Sequence, residues 1–238
     1  MCDVLRCPRH LPPTHSCSIN CLIMRTLILD TSGPFTTVLV ATEASLSAAS
    51  ILQGRPAEHL HEQIQTSLSC LHIEPPDLDH IAVVVGPGSW TGLNIGVTAA
   101  KTLAQVLEIP LSPIRTLDAL VTGHVKPAWA LMNAGRGRCY YVRYPRLTHD
   151  ERQTMAVAPL DTVSNQIQTD SNSVTILEYG NTFENQLCGD SRYQSVPRLL
   201  PESLIATMKK SRLMEGDAIK ALKPAYLQPT LAERDATS

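Results

Sequence analysis

The stretch Ile81-Ala82-Val83-Val84-Val85-Gly86-Pro87-Gly88-Ser89-Trp90-Thr91-Gly92 decides how this chain is read. Ile81 to Val85 is a continuous apolar run of strand length, as expected of a strand covered on both faces. A glycine turn follows, and helical periodicity resumes at Leu93, Ile95 and Val97. It continues through Ala99, Ala100, Leu103, Ala104 and Leu107 to Ile109-Pro110. Unpaired amides and a helix dipole around Gly86, Gly88, Ser89, Thr91 and Gly92 suit an anion. The same glycines would equally serve a tight turn and close helix–strand packing without any ligand. Three specific motifs fail here. A Walker loop needs Gly-Lys-Ser/Thr, but Leu93 follows Gly92. The G-x-G-x-x-G pattern needs glycine at Thr91, and a nucleophile elbow around Ser89 needs glycines at Pro87 and Thr91.

Upstream, Leu27-Ile28-Leu29 reads as a strand ending in the polar turn Asp30-Thr31-Ser32-Gly33-Pro34, and Phe35 to Ala41 returns as its hairpin partner. Ser45 to Leu52 is expected to be a third strand. Leu60, Ile64, Leu68 and Leu71 mark one face of a helix over Ala57 to Leu71, which Pro75-Pro76 ends. A carboxylate at a strand end followed by hydroxyls, as in Asp30-Thr31-Ser32, is what actin-like and sugar-kinase-like ATPases place near phosphates and Mg²⁺. The plainer reading is a turn whose Asp and Ser satisfy local amides. Downstream, Ala128 to Met132 and Cys139 to Tyr144 flank Gly135-Arg136-Gly137 as a hairpin. Leu147 to Ser173 is polar and carries no assignment. Val174 to Leu177 reads as a short strand and Pro201 to Leu213 as a helix. No internal repeat is legible.

Composition narrows the function classes. With 20 Lys+Arg against 22 Asp+Glu in 238 residues the formal charge is −2, so a large phosphate-binding face of its own is not expected. Aromatics are only 4%, which leaves little for base-stacking platforms. No apolar run approaches the roughly 18 residues of a membrane helix. A soluble, cytoplasmic protein is expected. Cys2, Cys7, Cys17 and Cys21 cluster in the first 23 residues and Cys70, Cys139 and Cys188 stand singly, with no C-x-x-C pair. Their spacing, with His10 and His15 nearby, matches no common zinc pattern, and an odd total points to free thiols. Pro8, Pro12 and Pro13 break any signal-peptide core, and Met24 opens directly into a strand. Residues 1–23 are therefore expected to be a disordered tail or a misplaced start.

Three segments together resemble one family: Leu29-Asp30-Thr31-Ser32, the helix start Glu58-His59, and Ala82 to Gly96. The family is TsaB (YeaZ), the partner protein in tRNA threonylcarbamoyladenosine synthesis. Its G-P-G-S-F-T-G-[LV]-R-I-G reads here with Trp90 for Phe and Asn94 for Arg. The resemblance continues through Ala100-Lys101-Thr102-Leu103-Ala104, Ile109-Pro110 and Thr116-Leu117-Asp118-Ala119-Leu120. It weakens in the second half and returns at Pro224-Ala225-Tyr226-Leu227. It implies an α/β, actin-like and ribonuclease-H-like (ASKHA) fold, with a first lobe over 24–115 carrying the partner-binding helices. A reduced second lobe over 116–238 would end in a C-terminal helix that packs back on the first.

The resemblance also implies a role. The related TsaD carries a metal-binding H-x-x-x-H whose positions fall here on Thr116 and Leu120, neither an ordinary ligand. Asn133-Ala134-Gly135-Arg136 stands where the family often has Asp-Ala-Arg. The chain is therefore expected to be a non-catalytic scaffold without a metal or intrinsic cofactor. It would bind TsaD, help recruit the ATPase TsaE and meet tRNA only through the complex, for modification beside the anticodon of ANN-decoding tRNAs. ATP or ADP would sit, if anywhere, at the interface with TsaD. The expected interface comprises Leu60, Ile64, Leu68, Gly92, Gly96, Ala99, Ala100 and Leu103, and the same helices would form a homodimer when the chain is alone. Vestigial phosphate loops would be Asp30, Thr31 and Ser32 with Gly86, Gly88, Ser89 and Thr91. The competing readings are an independent ATP-binding, sugar-kinase-like enzyme and a peptidase, the latter without support from any Ser–His pairing or metal motif.

Overall fold

The computed structural model describes residues 24–42, 45–124, 127–145, 154–170, 174–180 and 182–225. The readings for 1–23, with Cys2, Cys7, Cys17 and Cys21, and for Tyr226 and Leu227 lie outside the described residues.

The first sheet begins as a meander of β1 (Arg25–Asp30), β2 (Phe35–Thr42) and β3 (Ser45–Gln53), antiparallel throughout. Helix α1 (Pro56–Ser69) crosses to β4 (His80–Gly86), which pairs in parallel with β1. Helix α2 (Trp90–Leu107) then crosses to β5 (Leu111–Arg115), parallel to β4. The resulting order is β3-β2-β1-β4-β5. The apolar runs in β1 and β4 follow from having both faces covered. Leu27, Leu29, Ile81, Val83 and Val85 join Leu60 and Leu68 of α1 and Val97, Ala100 and Ala104 of α2 in one core cluster. Ile28, Ala82 and Val84 point to the other side of the sheet.

Beyond α3 (Thr116–Val121) the chain repeats the plan. Strands β6 (Ala128–Gly135), β7 (Arg138–Tyr144) and β8 (Ala156–Pro159) form an antiparallel meander. Helix α4 (Leu160–Gln168) leads to β9 (Thr175–Tyr179), parallel to β6, and α5 (Glu184–Leu187) to β10 (Tyr193–Val196), parallel to β9. The order β10-β9-β6-β7-β8 is that of the first sheet, built from shorter helices. The structure thus holds a repeat that the sequence does not display. Its second copy is the reduced one, α4 and α5 being shorter than α1 and α2.

Helix α6 (Pro201–Met208) lies beside α3 between the two sheets, where Leu117, Leu120, Leu204 and Met208 complete the core that both lobes share. The outer face of the second sheet is closed by Leu160, Val163 and Ile167 of α4 and Leu187 of α5. The expected helix to Leu213 stops at Met208. Leu213 is exposed, and Met214 bridges to Leu111 through mutual backbone hydrogen bonds of 2.8 and 2.9 Å, covering the edge of β5. Finally α7 (Asp217–Ala221) packs on α2, and the Ala225 amide donates to the Val85 carbonyl at 2.7 Å. That carbonyl lies where a register shift interrupts the β4–β5 ladder.

Candidate functional site

The turn after β1 and the glycine turn after β4 meet because their strands are parallel neighbours ending at the same edge. Asp30 is fully buried, and its Oδ1 accepts from the Ser32 amide at 2.9 Å and the Ser32 hydroxyl at 2.6 Å. Burial pushes the Asp30 carboxyl above its ordinary value, and the Ser32 hydrogen bonds only partly offset this. The Thr31 hydroxyl donates to the Gly92 carbonyl at 2.7 Å, and the Ser89 amide donates to the Ser32 carbonyl at 2.8 Å. Ser89 also caps α2, its hydroxyl accepting from the Gly92 amide at 3.2 Å.

The glycines of the second turn serve this contact. A Cβ on Gly88 would lie 2.6 Å from the Ser32 carbonyl oxygen. One on Gly92 would meet the Thr31 carbonyl oxygen, and one on Gly96 the Thr31 hydroxyl. Their Cα hydrogens therefore face protein. Gly86 is buried with φ 119°, close to Ala225, while Thr91 is exposed. The two proposed phosphate loops are thus brought together and packed on each other.

From the second lobe, Tyr179 at the end of β9 enters the same place, a contribution that sequence reasoning missed. Its hydroxyl lies against Gly33, close enough to Asp30 and Ser32 to bear on the Asp30 carboxyl, though not aligned for a well-formed hydrogen bond. Burial, reinforced by Asp30, raises the Tyr179 hydroxyl well above its ordinary value. Thr116 is fully buried and donates to the Pro87 carbonyl at 2.6 Å, and Leu120 is buried in the core that both lobes share. Among the described residues no three His, Cys, Asp or Glu side chains group as metal ligands. Nor is any described helix long and apolar enough to cross a membrane.

The expected interface divides sharply. Leu60, Leu68 and Ala100 are buried against the chain's own first sheet, and Gly92 and Gly96 against Thr31, so none is offered to a partner. Ile64, Ala99 and Leu103 are half-buried, as is Ile95, and Val106 is 75% exposed. The cause is amphipathicity: the strongest apolar stripe of each helix is taken by the sheet. Lys101, between Ala100 and Thr102, has a role the sequence did not disclose. Its ammonium donates to the Lys220 and Leu222 carbonyls at 2.7 and 2.9 Å, tying the end of α7 to α2.

A family model described as TsaD, tRNA N6-adenosine threonylcarbamoyltransferase, matches residues 52–179. The chain is 34% identical over 125 residues to the tRNA threonylcarbamoyladenosine biosynthesis protein TsaB of Bacillus subtilis, covering 49% of this chain and 53% of that one. It is 29% identical over 161 residues to the TsaB of Escherichia coli, covering 61% and 67%. The chain spans about half the length of the Bacillus subtilis relative it matches. In structure it is similar to YeaZ from Pseudomonas aeruginosa, with a TM-score of 0.70 at 19% identity, over 86% of this chain and 100% of that one.

Proposed function

Because the chain belongs to the tRNA N6-adenosine threonylcarbamoyltransferase (TsaD) family, and to the TsaB/YeaZ proteins within it, we propose that it serves tRNA threonylcarbamoyladenosine synthesis as a non-catalytic subunit. It binds a TsaD-type partner through the outward rows of α1 and α2, and it meets TsaE and tRNA in the assembled complex. The observation that carries this reading is the closed site. The two glycine- and hydroxyl-bearing turns are packed on each other, while Thr116 and Leu120 are buried at the positions that the resemblance assigns to metal ligands. Asp30, Thr31, Ser32 and Thr116 are buried and spend these hydrogen bonds inside the chain, and of the hydroxyls on these turns only Ser89 and Thr91 are left exposed. Nucleotide, where it acts, then belongs to the interface with TsaD, and the same helix rows form a homodimer when the partner is absent.

The test is light scattering on a sizing column with TsaD from the same organism, comparing the native chain with Ile64→Asp and Leu103→Asp. Ile64 and Leu103 are half-buried at the margin of the first-sheet core, so a charge there keeps a path to solvent, whereas one at Leu60 or Ala100 would be buried and unpaired. A 1:1 complex that is lost in variants still folded by circular dichroism is the expected outcome. No complex at micromolar concentrations overturns the reading.

A further inference from the structure

We infer that Tyr179 is a bolt fixing the two lobes to each other at the turn after β1, so that α1 and α2 are presented from one rigid body. The bolt is mounted on a braced strand. Its neighbour Glu178 is fully buried, and that carboxylate accepts from the Phe183 amide at 2.9 Å and from the Tyr193 hydroxyl, both in the second lobe. Tyr179 itself is buried in the core that the lobes share, and its ring tip passes to the first lobe. There it rests on Gly33. A Cβ at that position would meet the hydroxyl oxygen, would lie 2.6 Å from Cζ and 3.0 Å from Cε1. Gly33 has no left-handed φ to explain its lack of a side chain, so the requirement for glycine is the space taken by the tyrosine.

The receiving turn is equally braced. Thr31 bonds to Gly92 and the Ser32 carbonyl accepts from Ser89, so the turn is continuous with the start of α2. A contact at Gly33 is thereby transmitted to the helix that carries the proposed partner face. Two packed lobes that had to open around a ligand would need this place free; here a side chain of the protein fills it. The purpose of the bolt rests on the partner-binding reading, but its existence is tested on the isolated full-length chain and stands or falls separately.

The experiment combines Gly33→Ala with Tyr179→Leu, which keeps apolar volume in the shared core and withdraws the ring tip. Gly33→Ala is expected to lower the melting temperature by several degrees in the native chain, and by less than half as much beside Tyr179→Leu. In Tyr179→Leu alone, hydrogen exchange over 30–34 and 86–92 should rise about tenfold while that of β6 and β7 stays unchanged. Should Gly33→Ala not fold in the native chain, recovery beside Tyr179→Leu supports the bolt and failure in both backgrounds overturns it. Equal losses in both backgrounds, or unchanged exchange over those segments, likewise overturn it.

Discussion

At His80 an imidazole is buried in the first sheet between hydroxyls of its two neighbouring strands. Nε2 lies 2.9 Å from the Ser112 hydroxyl and Nδ1 3.4 Å from that of Thr26. Burial lowers its pKa to about 4 from the ordinary 6.5. The unfolded chain therefore binds the extra proton first. Stability is full above about pH 6.5 and is lost as the pH falls towards 4, by about 3 kcal/mol in all. Urea midpoints at pH 7 and pH 5 should show the native chain losing more than His80→Gln across that interval; parallel losses would refute the assignment. Asp30 acts in the opposite sense, since a carboxyl whose pKa burial raises costs stability as the pH climbs above its unfolded value. Neither effect is legible from residue type. A histidine before an apolar run and an aspartate in a polar turn do not reveal what will surround them. The glycine turn was half legible: its chemistry allowed either an anion or close packing, and only the approach of Thr31 and Ser32 assigns Gly88, Gly92 and Gly96 to packing.

Among elements, α2 and its tether to α7 show how a helix can be found while its contacts are not. The period of α2 was plain from Leu93 onward, but its first turn from Trp90, capped by Ser89, lies within the stretch that reads as a glycine turn. Its use of Lys101 was not, because lysine at a half-buried position reads as a solvated charge until the carbonyls of Lys220 and Leu222 come within reach. Lys101→Met keeps the stem and removes the donors. It should cost about 1–2 kcal/mol and loosen 216–225 in hydrogen exchange while leaving α1 unchanged. An unaltered exchange pattern would show that α7 is held by packing alone. Segment β8–α4 was hidden differently. Leu160, Val163 and Ile167 keep helical spacing, but the polar sequence around them dilutes the signal. The overlong reading of α6 failed at Leu213, where an apolar residue that extends the pattern proves exposed and its neighbour Met214 serves the edge of β5.

For the whole molecule, the closed meeting of the two turns makes a direct prediction. Titration calorimetry of the isolated chain with ATP and Mg²⁺ should give no saturable heat up to millimolar nucleotide. Micromolar binding would favour the independent-enzyme reading instead. The duplicated strand order also explains why the two halves look so unlike in sequence. Each half conserves a pattern of buried faces, and many apolar residues satisfy such a pattern. The central layer of α3 and α6 joins the copies, so residues after 200 complete the first lobe as well as the second.

By itself the sequence determined the strands with both faces covered, the two long helices, the hairpins and the family, because each rests on local periodicity or on a contiguous motif. The tertiary structure alone decided which row of each helix is spent on the sheet, which turn meets which, and that Tyr179 reaches Gly33 across nearly 150 residues of chain. Periodicity reports that a face must be buried, whereas the identity of what buries it is set by packing between segments distant in sequence.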